Sequence, residues 1–125
     1  MHAQQFQALL AQGLGRPLLY LQSHDARPYR EVILYACTHD LRYDHQCEDS
    51  RAPYLFDLIQ RTGEADFYRQ RILSSLQNPA EDEDIYQMVG LAYLFAQQGD
   101  TAARSMMYSV LHDVPPSRTL RAQRN

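Results

Sequence analysis

The densest chemistry in this 125-residue chain lies in one stretch, Cys37-Thr38-His39-Asp40-Leu41-Arg42-Tyr43-Asp44-His45-Gln46-Cys47-Glu48-Asp49-Ser50-Arg51. Cys37, His39, His45 and Cys47 read as Cys-x-His followed by His-x-Cys, and four such ligands meet the tetrahedral preference of zinc. A structural zinc there would pin the segment, although common sites use closer Cys-x-x-Cys pairs. The rival reading, which we favour, needs no cofactor: Cys37 lies beside an apolar helix face, where a free cysteine acts as a small hydrophobe, and the histidines are solvated. A nucleophilic Cys47 with His45 or His39 as base would need a lowered thiol pKa and an oriented imidazole, and no residues announce an oxyanion hole.

The same stretch is long for a helix–helix connection, which usually takes roughly 2–8 residues, and long loops often carry function. Tyr43, Asp44, Glu48 and Arg51 are therefore candidate binding residues. If they bind, substituting Tyr43, Asp44 or Arg51 weakens partner capture without moving the melting temperature. If the loop is structural, Tyr43 packs back, Asp44 and Asp49 accept backbone N–H groups, and Glu48 pairs with Arg51.

Three other features could do chemistry. Glu81-Asp82-Glu83-Asp84 could hold a cation, but carboxylates opening a helix are favoured by its dipole and by its unpaired N–H groups. Nine tyrosines accompany no tryptophan. Tyr35, Tyr54, Tyr86 and Tyr93 fall at the margins of buried faces, where tyrosine serves as a boundary residue or as a recognition residue. Arg118, Arg121 and Arg124 could touch nucleic acid or an acidic partner, or simply sit in a solvated tail, the reading we favour. Phosphate-loop, Ser-x-x-Lys and metalloprotease helix motifs are missing from the sequence.

The elements that must position these residues are helices. Phe6, Leu9, Leu10 and Leu14 keep helical spacing, predicting a helix over 2–12 that ends at Gly13 or Gly15. Residues 16–22, with Pro17, fit either a short helix or an extended segment. Asp25 caps the next helix and Pro28 suits its first turn; Tyr29, Val32, Ile33 and Ala36 form its face, to about Thr38 or His39. Ser50 and Pro53 repeat that opening before Ala52, Leu55, Leu58, Ile59 and Thr62. A partner helix over 64–77 buries Ala65, Tyr68, Ile72 and Leu76. After Asn78-Pro79-Ala80, the acidic run opens a helix whose face is Ile85, Met88, Val89, Ala92, Phe95 and Ala96. The last helix buries Ala103, Met106, Met107, Val110 and Leu111 and stops at Pro115-Pro116. No stretch alternates in the way a strand requires.

Composition bounds the possible functions. The formal net charge is −3, and the twelve basic residues are all arginine. The acidic balance argues against nucleic acid and anionic membranes as partners, and the lack of lysine removes Schiff-base chemistry. Two cysteines are too few for a secreted disulfide scaffold. No apolar run approaches the ~20 residues of a membrane span, and the N-terminus lacks a signal-peptide pattern. The expectation is a cytoplasmic protein with one helical domain over 1–114 and a disordered tail over 115–125.

One pattern occurs twice, 36 residues apart: Leu55, Leu58 and Ile59 lead to Gly63 and Glu64, and Leu91, Leu94 and Phe95 lead to Gly99 and Asp100. Such a period marks repeat architectures. Phe95, Gly99, Tyr108 and Pro116 fall on tetratricopeptide positions, but Arg104 and Tyr68 occupy the place of that motif's small residue. The looser HEAT pattern accepts both copies, so residues 28–112 resemble HEAT-like repeats first and tetratricopeptide repeats second. The fold class expected is all-α, with antiparallel hairpins stacked as a short superhelix. The resemblance implies a non-catalytic interaction module with a protein partner, monomeric or homodimeric. The rival functions are a zinc- or Cys/His-dependent protein centred on 37–47, and a nucleic-acid-binding stack.

Overall fold

The computed structural model describes residues 1–13, 15–41 and 51–113, with the side chains of Leu111 and Asp113 excepted. Ser50 and the tail over 115–125 lie outside the described residues, as does Leu14. Seven α-helices occupy the described residues: α1 Ala3–Gln12, α2 Arg16–Tyr20, α3 Arg30–Thr38, α4 Ala52–Arg61, α5 Ala65–Gln77, α6 Ile85–Gln97 and α7 Thr101–Asp113, with a 3-10 turn at Arg27–Tyr29 before α3. There is no strand among the described residues. Residues 16–20, which periodicity left open, are helical, with Pro17 in the first turn where its missing N–H is harmless.

Local chemistry explains several of these beginnings and ends. Asp25 accepts the backbone N–H of Arg27 at 3.0 Å and so opens the 3-10 turn that leads into α3. Asp84 caps α6 by accepting the N–H of Gln87 at 3.1 Å. Gly63 and Gly99 close the first helix of each hairpin in the left-handed region, at φ 73° and 97°, which only glycine enters without strain.

The packing sorts the helices into two layers. Helix α1 packs on α3, α3 on α5 and α5 on α7, while α2 packs on α4 and α4 on α6. The layers join through α1–α2, α3–α4, α4–α5, α5–α6 and α6–α7. Odd-numbered helices therefore form one layer and even-numbered helices the other. Helix α3 also meets α6, a contact that a strictly linear stack does not require.

The core runs between the layers. Phe6, Leu10, Ile33, Leu55, Leu58, Ile59, Tyr68, Ile72, Met88 and Leu91 are fully buried, and burying apolar area at about 25 cal/mol per Å² is what holds the helices together. Phe56 and Phe95 meet edge to face at 5.0 Å across α4 and α6. Gly90 matters here for its size: a Cβ there would stand 3.2 Å from Cβ of Ala52, so glycine facing alanine sets how closely α4 and α6 approach. At the N-terminal end, Phe6 stacks on Tyr29 at 4.5 Å, the Tyr20 and Tyr29 hydroxyls meet at 2.8 Å, and Tyr29 donates to the Met1 carbonyl at 2.7 Å. The outer face of α1 is polar, with Gln4, Gln5 and Gln12 exposed; that of α7 exposes Arg104, Ser105 and Ser109 together with the half-exposed Tyr108. Such faces suit the two ends of a helical stack.

Candidate functional site

Of the residues singled out between Cys37 and Arg51, Tyr43, Asp44, His45, Cys47 and Glu48 lie outside the described residues. Cys37, His39 and Arg51 are described, and each is engaged in holding helices together.

Cys37 has no exposed surface and is unpaired. Burial pushes its thiol up to about 12, with the Arg51 guanidinium pulling weakly the other way. A zinc ligand or nucleophile must be a thiolate, whereas this sulfur is placed as a small apolar group, and the zinc reading draws no support from it. His39 stacks on Tyr35 at 3.9 Å. Its Nδ1 lies 2.8 Å from the Thr38 hydroxyl, and its Nε2 is 3.3 Å from an Asp82 carboxylate oxygen. Both ring nitrogens therefore have partners within the chain.

Arg51 sits just before α4 and donates through Nη2 to the Leu10 carbonyl near the end of α1, where a cation also complements the helix dipole. Its guanidinium lies 5.8 Å from the centre of the Tyr54 ring. Arg51→Ala is accordingly expected to lower stability by about 1–2 kcal/mol, read as an earlier urea midpoint. Were Arg51 a binding residue alone, its substitution would leave the melting temperature unmoved. The carbonyl it reaches is 41 residues away, and spacing alone could not show it.

The end of α3 shows a second residue that sequence reasoning missed. Nε2 of Gln87 lies within donating distance of the carbonyls of Ala36 at 2.7 Å, Cys37 at 3.0 Å and His39 at 3.0 Å. The Asp84 N–H donates to the Thr38 carbonyl at 2.8 Å. The first turn of α6 thus satisfies carbonyls that a helix end leaves open.

The repeated glycine–acid turn has a repeated partner. Glu64, after Gly63, accepts from Arg30 of α3; Asp100, after Gly99, accepts from Arg69 of α5. Each acid thus reaches back to an arginine on the preceding helix of the odd layer. The only sequence signal was an arginine 34 residues before one acid and 31 before the other, too weak to choose among twelve. Phe67 lies under Arg30 at 4.7 Å. Asp100 also accepts the Ala103 N–H at 3.0 Å, so it caps α7 as well.

The Arg69 guanidinium holds the Asp100 carboxyl below its usual value of 3.8, with backbone N–H groups adding to the effect. A carboxyl depressed by folding contributes stability that is full above 3.8 and is lost as pH falls through the lower folded-state value. Asp100→Ala removes cap and ion pair together and is expected to destabilise by about 2 kcal/mol. Asp100→Asn should flatten the acid limb of a stability–pH curve, measured by urea unfolding between pH 5 and 2.

The exposed aromatic groups offer a surface. Tyr86 and Tyr93 are 58% and 50% exposed, two helical turns apart on one side of α6. Gly90 lies between them in sequence, turned toward Ala52 of α4. Tyr93 accepts from Gln97 at 3.0 Å. Pro53, Asp57 and Gln60 are exposed on neighbouring α4, and Leu19 on α2 is 65% exposed. The even layer therefore presents apolar and aromatic area with few charges; on the odd layer Tyr35 is covered on one face by His39 and Tyr108 of α7 is 54% exposed.

Comparison of the chain with protein-family models, with curated proteins and with solved structures finds no match in any of the three. No helix among the described residues is long and apolar enough to cross a membrane.

Proposed function

We propose that this chain is a non-catalytic protein–protein interaction module of the helical-repeat type, and that the exposed face of α6 is its contact surface. The observation that carries this reading is the pair of half-exposed tyrosines, Tyr86 and Tyr93, flanking Gly90. Tyrosine supplies large contact area at a small entropy cost and is enriched among residues that dominate binding energy. Rigid helices hold the pair in place, so little ordering is needed on binding. The alternating packing of odd and even helices and the repeated glycine–acid turn favour a stacked-hairpin scaffold, HEAT-like or tetratricopeptide-like. A cytoplasmic setting, as monomer or homodimer, belongs to the same proposal, and an unpaired core thiol at Cys37 suits a reducing compartment.

The test is partner capture with Tyr93→Ala. Loss of one well-buried tyrosine from an interface is expected to weaken binding by about 2 kcal/mol, roughly thirtyfold, with the melting temperature within about 2 °C of wild type. Undiminished capture by Tyr93→Ala and by Tyr86→Ala would remove α6 as the contact surface.

A further inference from the structure

Tyr86 and Tyr93 are 58% and 50% exposed, and the rise of an α-helix sets them about 10.5 Å apart along α6. The other exposed side chains on α6 and α4 are Gln97, Pro53, Asp57, Gln60 and Arg61. No Leu, Ile, Val or Met is exposed on either helix. A docking helix satisfies its own carbonyls and asks for an apolar stripe, which this face does not offer. It offers aromatic rings and polar hydrogens instead. Tyr93 accepts from Gln97 at 3.0 Å and so keeps its own hydroxyl proton to donate outward.

Charge is spread unevenly along the face. Helix α6 itself carries none, and Glu81 and Asp82 stand exposed just before its first turn. Glu83 and Asp84 accept the N–H groups of Ala80 and Gln87. The outward charge is therefore that of Glu81 and Asp82, the second 76% exposed beside His39. Ala52 meets Gly90 and Phe56 meets Phe95, so α4 and α6 run in the same direction. Arg61, in the last turn of α4, thus lies toward the opposite end from the acids. A cationic group is drawn to the end that holds Tyr86.

Aromatic surfaces recognise polyproline segments, whose carbonyls have no partner within their own chain and whose three-residue repeat advances about 9.3 Å. That repeat is close to the tyrosine spacing. We propose that the partner segment held by α6 is a proline-rich chain in the polyproline conformation, with prolines on Tyr86 and Tyr93 and an arginine paired with Glu81 and Asp82. The proposal rests on the reading of α6 as the contact surface and names the class of partner for it. The stiffness of such a segment leaves little entropy to lose on binding.

The probe is a peptide of four Arg-Pro-Pro repeats, titrated into the full chain by calorimetry and by amide chemical shifts. It should bind in the micromolar range, with shift changes centred on residues 81–97. Tyr86→Ala and Tyr93→Ala should each weaken it about tenfold, and Glu81→Arg about fivefold. A peptide of four Glu-Pro-Pro repeats should not bind. Failure of the arginine peptide to bind, equal binding by the glutamate peptide, or undiminished binding by both tyrosine variants overturns the proposal. If Tyr93→Ala loses a host partner while the wild-type chain ignores the arginine peptide, the contact surface stands and the proline-rich partner is wrong. If host capture is also undiminished, both readings fall.

Discussion

Leu91→Ala should destabilise the protein by about 2–5 kcal/mol, while Tyr93→Ala, two residues along the same helix, should change stability by less than about 0.5 kcal/mol. Leu91 is fully buried and Tyr93 is half exposed. Truncating Leu91 removes its transfer energy and leaves a cavity that close packing prevents from collapsing. Truncating Tyr93 removes a half-exposed ring and its surface hydrogen bond with Gln97, and solvent fills the space it leaves. Urea unfolding of the two variants reads both numbers in one experiment. Comparable losses would mean that α6 is buried on both sides, and the contact surface assigned to it would not exist.

Cys37 should make the fold fragile in alkali. Its thiol is ordinarily near 9.0, and burial raises it to about 12. A group whose folded value is raised gives stability that is complete below the unfolded value and falls as pH climbs through the folded one. Between pH 9 and 12 the unfolded chain loses this proton and the folded chain keeps it. Linkage then removes up to about 4 kcal/mol, at about 1.4 kcal/mol per pH unit. Burial raises the Tyr68 phenol as well, which steepens the same limb. Cys37→Ala should be less stable than wild type at pH 7, because of the cavity, yet lose stability more slowly above pH 9. In a chain carrying Cys47→Ser, the remaining thiol should resist a thiol reagent at pH 8 until the protein unfolds. Rapid labelling in the folded state would place Cys37 outside the core.

These two expectations draw on different depths of the sequence. The helices were legible because their signals are local: apolar residues at helical spacing mark α3 to α7, and Gly63 and Gly99 announce the turns that close α4 and α6. The burial of Ile33, Leu55, Ile72 and Met88 follows from the same period. Residues 16–20 stayed open because five residues with a proline satisfy no period for long enough. The layer order was not legible, since it depends on which helices meet rather than on which positions are apolar. Gln87 is the sharpest example: nothing near it in sequence marks a polar residue that reaches three carbonyls about 50 residues earlier. Arg51 looked like a loop residue free to bind because the Leu10 carbonyl it reaches is distant in sequence. The site reading leaned on a dense run of ligand-type residues. Of the three it named that are described, Cys37 was already favoured as a core group, while His39 and Arg51 find their partners within the fold.

The most direct test of the interaction surface is site-specific photo-crosslinking in the native host, with a photoreactive phenylalanine at position 93 and, as control, at position 105, an exposed serine of α7. The account predicts a discrete crosslinked product from position 93 and none from position 105. Crosslinks from position 105 with none from position 93 would contradict it and move the contact surface to the odd layer.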